Sequence, residues 1–348
     1  MKKNPHNQRN FFCFVTGKSG GHIVPSLTYA QQLLAQKPDY KIIFFSTDAS
    51  LDRHILAGNP LVMRHIPLPL GVLPRSIFGY VGFAIKMVYA CFKAFFVFVA
   101  QRPARIISTG GYVAIPVCFA GWLLRIPIEL QELNATPGKA IKFLAPLATQ
   151  IKVCFAQAAR YFPARKTVLM DYPVRFTDEQ KNIPHQDALR SLGLAGHKKT
   201  LFVLGGSQGS RYINTLVQAW VASDPLVGEK VQIIHQTGAD DKQAVQECYA
   251  YHAITAQVFE YADALERYYA AADLIIGRAG AGTLFEIQFF NKPCIIIPLE
   301  TADNDHQVAN AQAFTQQFPM LANVVRQREI ELDKAAFFAI LSGKLLGN

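Results

Sequence analysis

Residues 11–22 read Phe11-Phe12-Cys13-Phe14-Val15-Thr16-Gly17-Lys18-Ser19-Gly20-Gly21-His22. A short apolar run passes straight into a glycine-rich turn, and a helical pattern containing Pro25 follows. A strand that is apolar on both faces belongs in a parallel sheet covered by helices on each side. Glycines at a strand-to-helix turn let backbone N–H groups approach an anion, and the helix N-terminus adds partial positive charge. Gly17-Lys18-Ser19 invites a Walker A reading, but that motif requires glycine at position 12, which is Phe12. The dinucleotide GxGxxG spacing is absent as well. ATPase chemistry is therefore not expected. The competing reading is a tight turn that needs small residues for steric reasons alone.

The same rhythm continues along the chain. Strands are expected at 11–16, 42–46, 105–109, 127–131, 151–155 and 167–170, and helices at 25–36, 77–101, 113–124 and 138–147. Around 171–200 the character changes to polar sequence containing Pro173, Pro184 and His185, which reads as a linker. The alternation restarts with strands at 200–204, 231–235, 256–259, 273–277 and 294–298. Helices are expected at 209–222, 240–251, 262–271, 281–290 and 306–317, and a closing amphipathic helix over 328–346. The expected fold is α/β, with two Rossmann-like doubly wound parallel-sheet domains at 1–172 and 173–348. A chain of 348 residues suits two such cores. Doubly wound sheets bind ligands at the carboxyl ends of their strands, here expected to face a deep cleft.

Composition narrows the partners. Residues 1–175 carry 21 Lys/Arg against 6 Asp/Glu, whereas residues 176–348 carry 14 against 19. An anionic partner for the first half follows, either nucleic acid or an anionic membrane surface. The basic residues are scattered and match no nucleic-acid motif, and residues 77–100 form a long apolar segment. The reading is therefore membrane surface and no nucleic acid. That segment is long enough to span a bilayer, but Lys86 and Lys93 inside it carry an insertion cost of about 2.5–3.5 kcal/mol each. Seven residues apart, they share one helical stripe, as in a helix lying at an interface; a buried domain helix with a solvated lysine stripe is the alternative. The six cysteines show no metal or CxxC spacing and are expected to be reduced and structural. The apolar run after Lys2, Lys3 and Arg9 is too short for a signal-peptide core, so export is not expected.

Three further motifs follow strands in the second half. Gly205-Gly206-Ser207-Gln208-Gly209-Ser210 repeats the glycine turn of the first domain and adds hydroxyls suited to phosphate oxygens. In Arg278-Ala279-Gly280-Ala281-Gly282-Thr283-Leu284-Phe285-Glu286, the carboxylate falls early in a helix. It either complements the helix dipole or accepts both hydroxyls of a ribose. Asp303-Asn304-Asp305-His306-Gln307, with Asn310, is a polar loop and helix start where sugar hydroxyls can be read.

Taken in order, the glycine turn ending in His22, Gly110-Gly111-Tyr112, Asn134-x-x-Pro137-Gly138, Pro173-Val174-Arg175, GGSQGS at 205–210, AxTxxE at 281–286 and DHQxxNA at 305–311 resemble the MurG family. These are the UDP-N-acetylglucosamine:undecaprenyl-pyrophosphoryl-N-acetylmuramyl-peptide N-acetylglucosaminyltransferases of peptidoglycan synthesis. The resemblance runs from about residue 11 to 317 and implies a GT-B fold, the UDP-sugar donor held mainly by the second domain, and the lipid-linked acceptor at the first. It implies no cofactor, no obligatory metal, and a peripheral place on the cytoplasmic face of the inner membrane, where other cell-wall enzymes are candidate partners. It places Ser19, Gly20 and Gly21 at the donor side of the first loop and Asn134 at the transferred sugar. Arg175 and Ser207 fall at the diphosphate, Ala262 at the uracil, Glu286 at the ribose and Gln307 at sugar hydroxyls. Ala281, Gly282, Thr283, Leu284, Phe285 and Glu286 together form the nucleotide-side loop. The sequence departs from the family pattern at Lys18 for Gly, Leu133 for Gln, Tyr172 for Asn, Gly282 for Leu, and in Val113-Ala114-Ile115-Pro116 after Tyr112.

The expected reaction is a single in-line displacement at the anomeric carbon with UDP as leaving group. His22 has three readings. It is a general base with an intrinsic pKa near 6.5, a ligand of the acceptor pyrophosphate, or a structural turn residue. The rival functions are a GT-B transferase acting on another lipid, a UDP-GlcNAc epimerase of the same fold, and a UDP-sugar-binding protein without transferase activity.

Overall fold

The computed structural model describes residues 10–17, 20–71, 74, 76–206, 208–225, 227–300 and 306–347. The chain forms two compact units, Met1–Arg175 and Phe176–Asn348, each built on one parallel sheet. In the first, the strands are β1 (Phe11–Val15), β2 (Lys41–Thr47), β3 (Val62–Leu68), β4 (Arg105–Ser108), β5 (Ile128–Glu132), β6 (Gln150–Val153) and β7 (Thr167–Leu169). Their order across the sheet is β3-β2-β1-β4-β5-β6-β7. The second unit has β8 (Lys199–Leu204), β9 (Val231–Gln236), β10 (Thr255–Phe259), β11 (Leu274–Gly277), β12 (Cys294–Ile296) and β13 (Ala322–Val324), ordered β10-β9-β8-β11-β12-β13.

Unbroken apolar strands produce this architecture because both of their faces are covered. Cys13, Val15, Ile43 and Phe45 enter one core with Ala90, Ala94 and Phe98 of the Ile77–Ala100 helix. The alternate residues Phe12, Phe14, Ile42 and Phe44 enter a separate core with Ile23 and Leu27 of the Gly20–Gln36 helix. Period-two alternation thus feeds two hydrophobic layers from one strand.

In each sheet the order reverses at the first strand, so the chain leaves β1 and β4, or β8 and β11, in opposite directions around the sheet. Doubly wound sheets offer a crevice at such a point. In the first unit backbone packs directly on backbone there. A Cβ on Gly111 would lie 2.4 Å from Gly17 Cα, and Gly111 has φ +81°. In the second unit a Cβ on Gly209 (φ +77°) would lie 2.0 Å from Thr237 O.

The structure adds elements that the sequence pattern hid. The Ser50–Leu56 helix and β3 lie between the second expected strand and the long apolar helix. β3 contains Pro67 and is only partly buried. As an edge strand it tolerates the proline, whose missing N–H costs no ladder bond on the open side. β13 is the opposite case, three half-buried residues at the edge of the second sheet. The expected closing helix is two helices, Gln327–Leu332 and Lys334–Leu346. Asp333 separates them by capping the second, its Oδ1 accepting from Ala336 N at 2.9 Å.

The Ile77–Ala100 helix is long and apolar enough to cross a membrane, with mean hydropathy 1.9, and 17% of that stretch is buried. One face packs on the sheet. The other exposes a ridge that includes Phe78 (89%), Ile85 (65%), Phe92 (59%) and Phe96 (66%). The lysine stripe is divided: Lys86 is exposed, but Lys93 turns back to donate to Pro67 O at 3.1 Å. The packed Ala114–Leu123 helix extends the exposed ridge with Phe119 and Trp122, whose rings lie 5.7 Å apart.

Gly111→Ala should destabilise the first unit by about 2 kcal/mol or more, because both the positive φ and the backbone contact forbid a side chain. Urea unfolding followed by far-UV circular dichroism measures this.

Candidate active site

In the first unit Gly20, Gly21 and His22 follow β1, and Asn134 follows β5. Thr109 Oγ1 donates to Thr16 Oγ1 at 3.0 Å, joining the ends of β4 and β1 above the glycine contact. Gly20 and Gly21 open the Gly20–Gln36 helix, and half-buried His22 follows in its first turn. Ser26 Oγ donates to His22 O at 2.8 Å. Lys18 and Ser19 lie outside the described residues.

Asn134 sits just beyond β5 on a loop gripped by a residue that sequence reading passed over. Glu132 is buried (3% exposed). Its Oε1 accepts from Asn134 N at 2.8 Å and Asn134 Nδ2 at 3.3 Å, and its Oε2 accepts from Gly138 N at 2.9 Å. Burial pushes its pKa up to about 7 despite these N–H donors. The signal was in the sequence, as a glutamate at the end of an apolar strand, but only the fold shows that it turns back on its own loop. Deeper in the same strand, buried Glu129 pairs with Arg105 and with Lys152 (3.2 Å), and Lys152 Nζ donates to Tyr29 OH at 2.6 Å. That cluster ties the Gly20–Gln36 helix to the sheet. Arg175 is half-buried and closes the first unit.

In the second unit the glycine turn after β8 meets the turn after β9. Gln236 Nε2 donates to Gly206 O at 3.2 Å, and Ser210 caps the Arg211–Ser223 helix through its hydroxyl. Ser207 lies outside the described residues, as do 301–305. Arg278, quoted in the motif but given no role, proves central. It is 8% exposed and donates to Ser210 Oγ (3.1 Å), Ile297 O (3.1 Å), Pro298 O (3.3 Å) and Gln327 Oε1 (2.7 Å). Burial lowers its pKa. One guanidinium thus ties the 205–210 turn, the 278–282 loop and the end of β12 together.

The 281–286 motif starts the Ala281–Phe289 helix. Gly282, Thr283 and Glu286 are half-buried, whereas Ala281, Leu284 and Phe285 are buried. Leu284 (0% exposed) and Phe285 (5%) point into the core, so their side chains seat the helix and only their backbone remains to meet a ligand. Glu286 Oε2 accepts from Tyr269 OH at 2.8 Å. Gln307 Oε1 accepts from Ala279 N (3.2 Å) and Leu299 N (2.9 Å), which leaves its amide nitrogen as the end that can meet a sugar. Asn310 is buried and donates to Ala279 O at 3.1 Å. That bond supports the loop. Ala262 is half-buried on the loop after β10.

Each half of the chain matches a known family model. Residues 12–153 match the glycosyltransferase family 28 N-terminal domain, and residues 200–335 match the family 28 C-terminal domain. Over 322 residues the chain is 30% identical to the UDP-N-acetylglucosamine--N-acetylmuramyl-(pentapeptide) pyrophosphoryl-undecaprenol N-acetylglucosamine transferase of Myxococcus xanthus, covering 92% of this chain and 81% of that protein. The chain belongs to the MurG family. It is a glycosyltransferase of two Rossmann-like sheets, the GT-B class. Among solved structures, MurG of Acinetobacter baumannii matches with a TM-score of 0.73 at 24% identity, over 97% of this chain and 92% of that one. UDP-GlcNAc 2-epimerase from Neisseria meningitidis, bound to UDP-GlcNAc, matches with 0.60 at 10% identity over 97% and 100%. The latter shares the fold alone; the sequence similarity separates this MurG-family chain from it.

Glu132 carries a pH signature of known sign. Its folded pKa of about 7 exceeds the ordinary 4.5, so between these values the folded state holds a proton that the unfolded state has released. Its contribution to stability is therefore lost as pH rises through that window, by about 3 kcal/mol in all. The urea midpoint of the native protein should fall over pH 4.5–7 relative to Glu132→Gln.

Proposed function

We propose that the chain transfers N-acetylglucosamine from UDP-GlcNAc to the C4 hydroxyl of the muramyl residue in undecaprenyl-pyrophosphoryl-MurNAc-peptide, inverting the anomeric centre. The observation that carries this reading is the similarity to the Myxococcus xanthus transferase over 92% of the chain. The reading is supported by Asn134, which follows β5, and by Glu286 and Gln307, which lie in the helices after β11 and β12, since a doubly wound sheet holds its ligands beyond the carboxyl ends of its strands.

The second unit, Phe176–Asn348, holds most of the donor. Ala262 meets the uracil and Glu286 the ribose. The resemblance assigns Ser207 and Arg175 to the diphosphate, where negative charge grows as the glycosidic bond to UDP breaks, and the N-terminus of the Arg211–Ser223 helix offers partial positive charge to the same group. Fixed donors aimed at developing charge contribute about 3–4 kcal/mol each to transition-state stabilisation. Asn134 and Gln307 orient the transferred sugar. The first unit takes the acceptor, and its glycine turn places His22 to receive the proton of the attacking hydroxyl. An acceptor with a polyprenyl tail stays in the bilayer, so the enzyme must reach it there. The apolar ridge of Ile77–Ala100, with Phe119 and Trp122, suits a peripheral seat on an anionic membrane surface. The excess of basic residues in 1–175 favours the same surface.

Incubation with radiolabelled UDP-GlcNAc and the lipid-linked muramyl-peptide should give labelled lipid; free epimerised sugar or no transfer would reject the reading. His22→Ala should cut kcat by more than about 100-fold with UDP affinity unchanged if His22 is the base. Replacing Phe92 and Phe96 together by Ser should weaken binding to anionic vesicles by about 10-fold or more, since each ring buries apolar area. Sedimentation with vesicles measures it.

A further inference from the structure

Tyr269 is fully buried in the Glu266–Ala271 helix, yet its hydroxyl reaches the carboxylate of Glu286 at 2.8 Å. Its ring is fixed on three sides. It stacks on Phe290 at 4.8 Å and 5°, and it meets Phe202 edge-on at 5.4 Å and Phe176 at 5.8 Å. A ring so enclosed has one rotamer, which makes the hydroxyl a fixed point in the second unit. Glu286 is different. It is half-buried on a nine-residue helix, and a long flexible side chain loses conformational entropy whenever it is held in one position. A rigid donor on one of its oxygens meets that entropic cost before any ligand arrives.

A buried tyrosine needs an acceptor for its own sake, so the hydrogen bond alone does not reveal a role. Its place in the chain does. Phe290 lies four residues after Glu286, so the ring that holds Tyr269 belongs to the same helix end as the carboxylate that Tyr269 holds. The Glu266–Ala271 helix follows directly on the loop that carries Ala262. One short element therefore joins the loop assigned to the base and the carboxylate assigned to the ribose.

We infer that Tyr269 is a positioning residue for donor recognition: its hydroxyl holds the Glu286 carboxylate in the orientation that receives the ribose hydroxyls, and couples that grip to the loop bearing Ala262. This rests on the reading of Glu286 as the ribose ligand. Tyr269 touches no reacting atom, so its effect belongs in binding of the donor and not in the chemical step.

The test compares UDP-GlcNAc with analogues lacking the ribose 2′- or 3′-hydroxyl, in native protein, Tyr269→Phe and Glu286→Ala. Discrimination, the ratio of kcat/KM values for two donors, is independent of how much of each preparation is folded. Native protein should prefer the intact ribose. Tyr269→Phe should lose about 10-fold of that discrimination, through a raised KM for UDP-GlcNAc with kcat within about 2-fold, while its activity on the deoxy donors stays near native. If Tyr269→Phe keeps native discrimination, or loses activity equally on all donors, while Glu286→Ala abolishes discrimination, the inference is overturned and the ribose reading stands. If Glu286→Ala itself keeps full discrimination, the ribose reading fails and the inference fails with it.

Discussion

Backbone meets backbone at Gly17 and Gly111, and what the first unit presents at its strand ends depends on that contact. A side chain at either position would push β1 and β4 apart at the point where the sheet changes direction. With none there, the ends of β1 and β4 pack backbone to backbone at that point. The second unit solves the same problem with Gly209 against Thr237 and Gly238. Two units of nearly the same strand order thus carry the same steric device.

Around each crevice, charged side chains are used to hold loops as much as to meet ligands. Glu132 grips the loop of Asn134, and Arg278 ties together three segments that are far apart in sequence. Gln307 and Asn310 both hold Ala279. A ligand-binding loop without such supports would have to be ordered by the ligand itself, at a cost in affinity. The hydrogen bonds each group makes offset only part of the desolvation cost, as the raised pKa of Glu132 shows.

The apolar ridge of the first unit follows another logic. A soluble helix normally turns its polar face outward, but Ile77–Ala100 exposes aromatic and aliphatic side chains along most of its length. A contiguous patch of this kind on a basic unit is costly in water and gains by transfer to a lipid surface. The lipid-linked acceptor of the proposed reaction would supply the reason for such a surface.

Much of this was legible in the residues. The apolar strands, the glycine turns that follow them and the order of the motifs determined two doubly wound sheets and the family, because periodicity and turn chemistry are local properties. Edge strand β3 escaped notice because its exposed positions and Pro67 erase the apolar run. For 77–100 the lysine stripe pointed to an interfacial helix, but only the fold shows that Lys93 turns back to Pro67 O and that the exposed ridge is aromatic. Tyr269 and Glu286 are 17 residues apart, and Arg278 and Ser210 are 68 apart. The first pairing exists because the helices before and after β11 pack together, the second because the sheet sets the ends of β8 and β11 side by side. Sequence alone determined which chemistry the chain carries; tertiary packing decided which side chains remain for ligands and which are spent holding the others still, since burial and long-range hydrogen bonds are properties of the assembled fold.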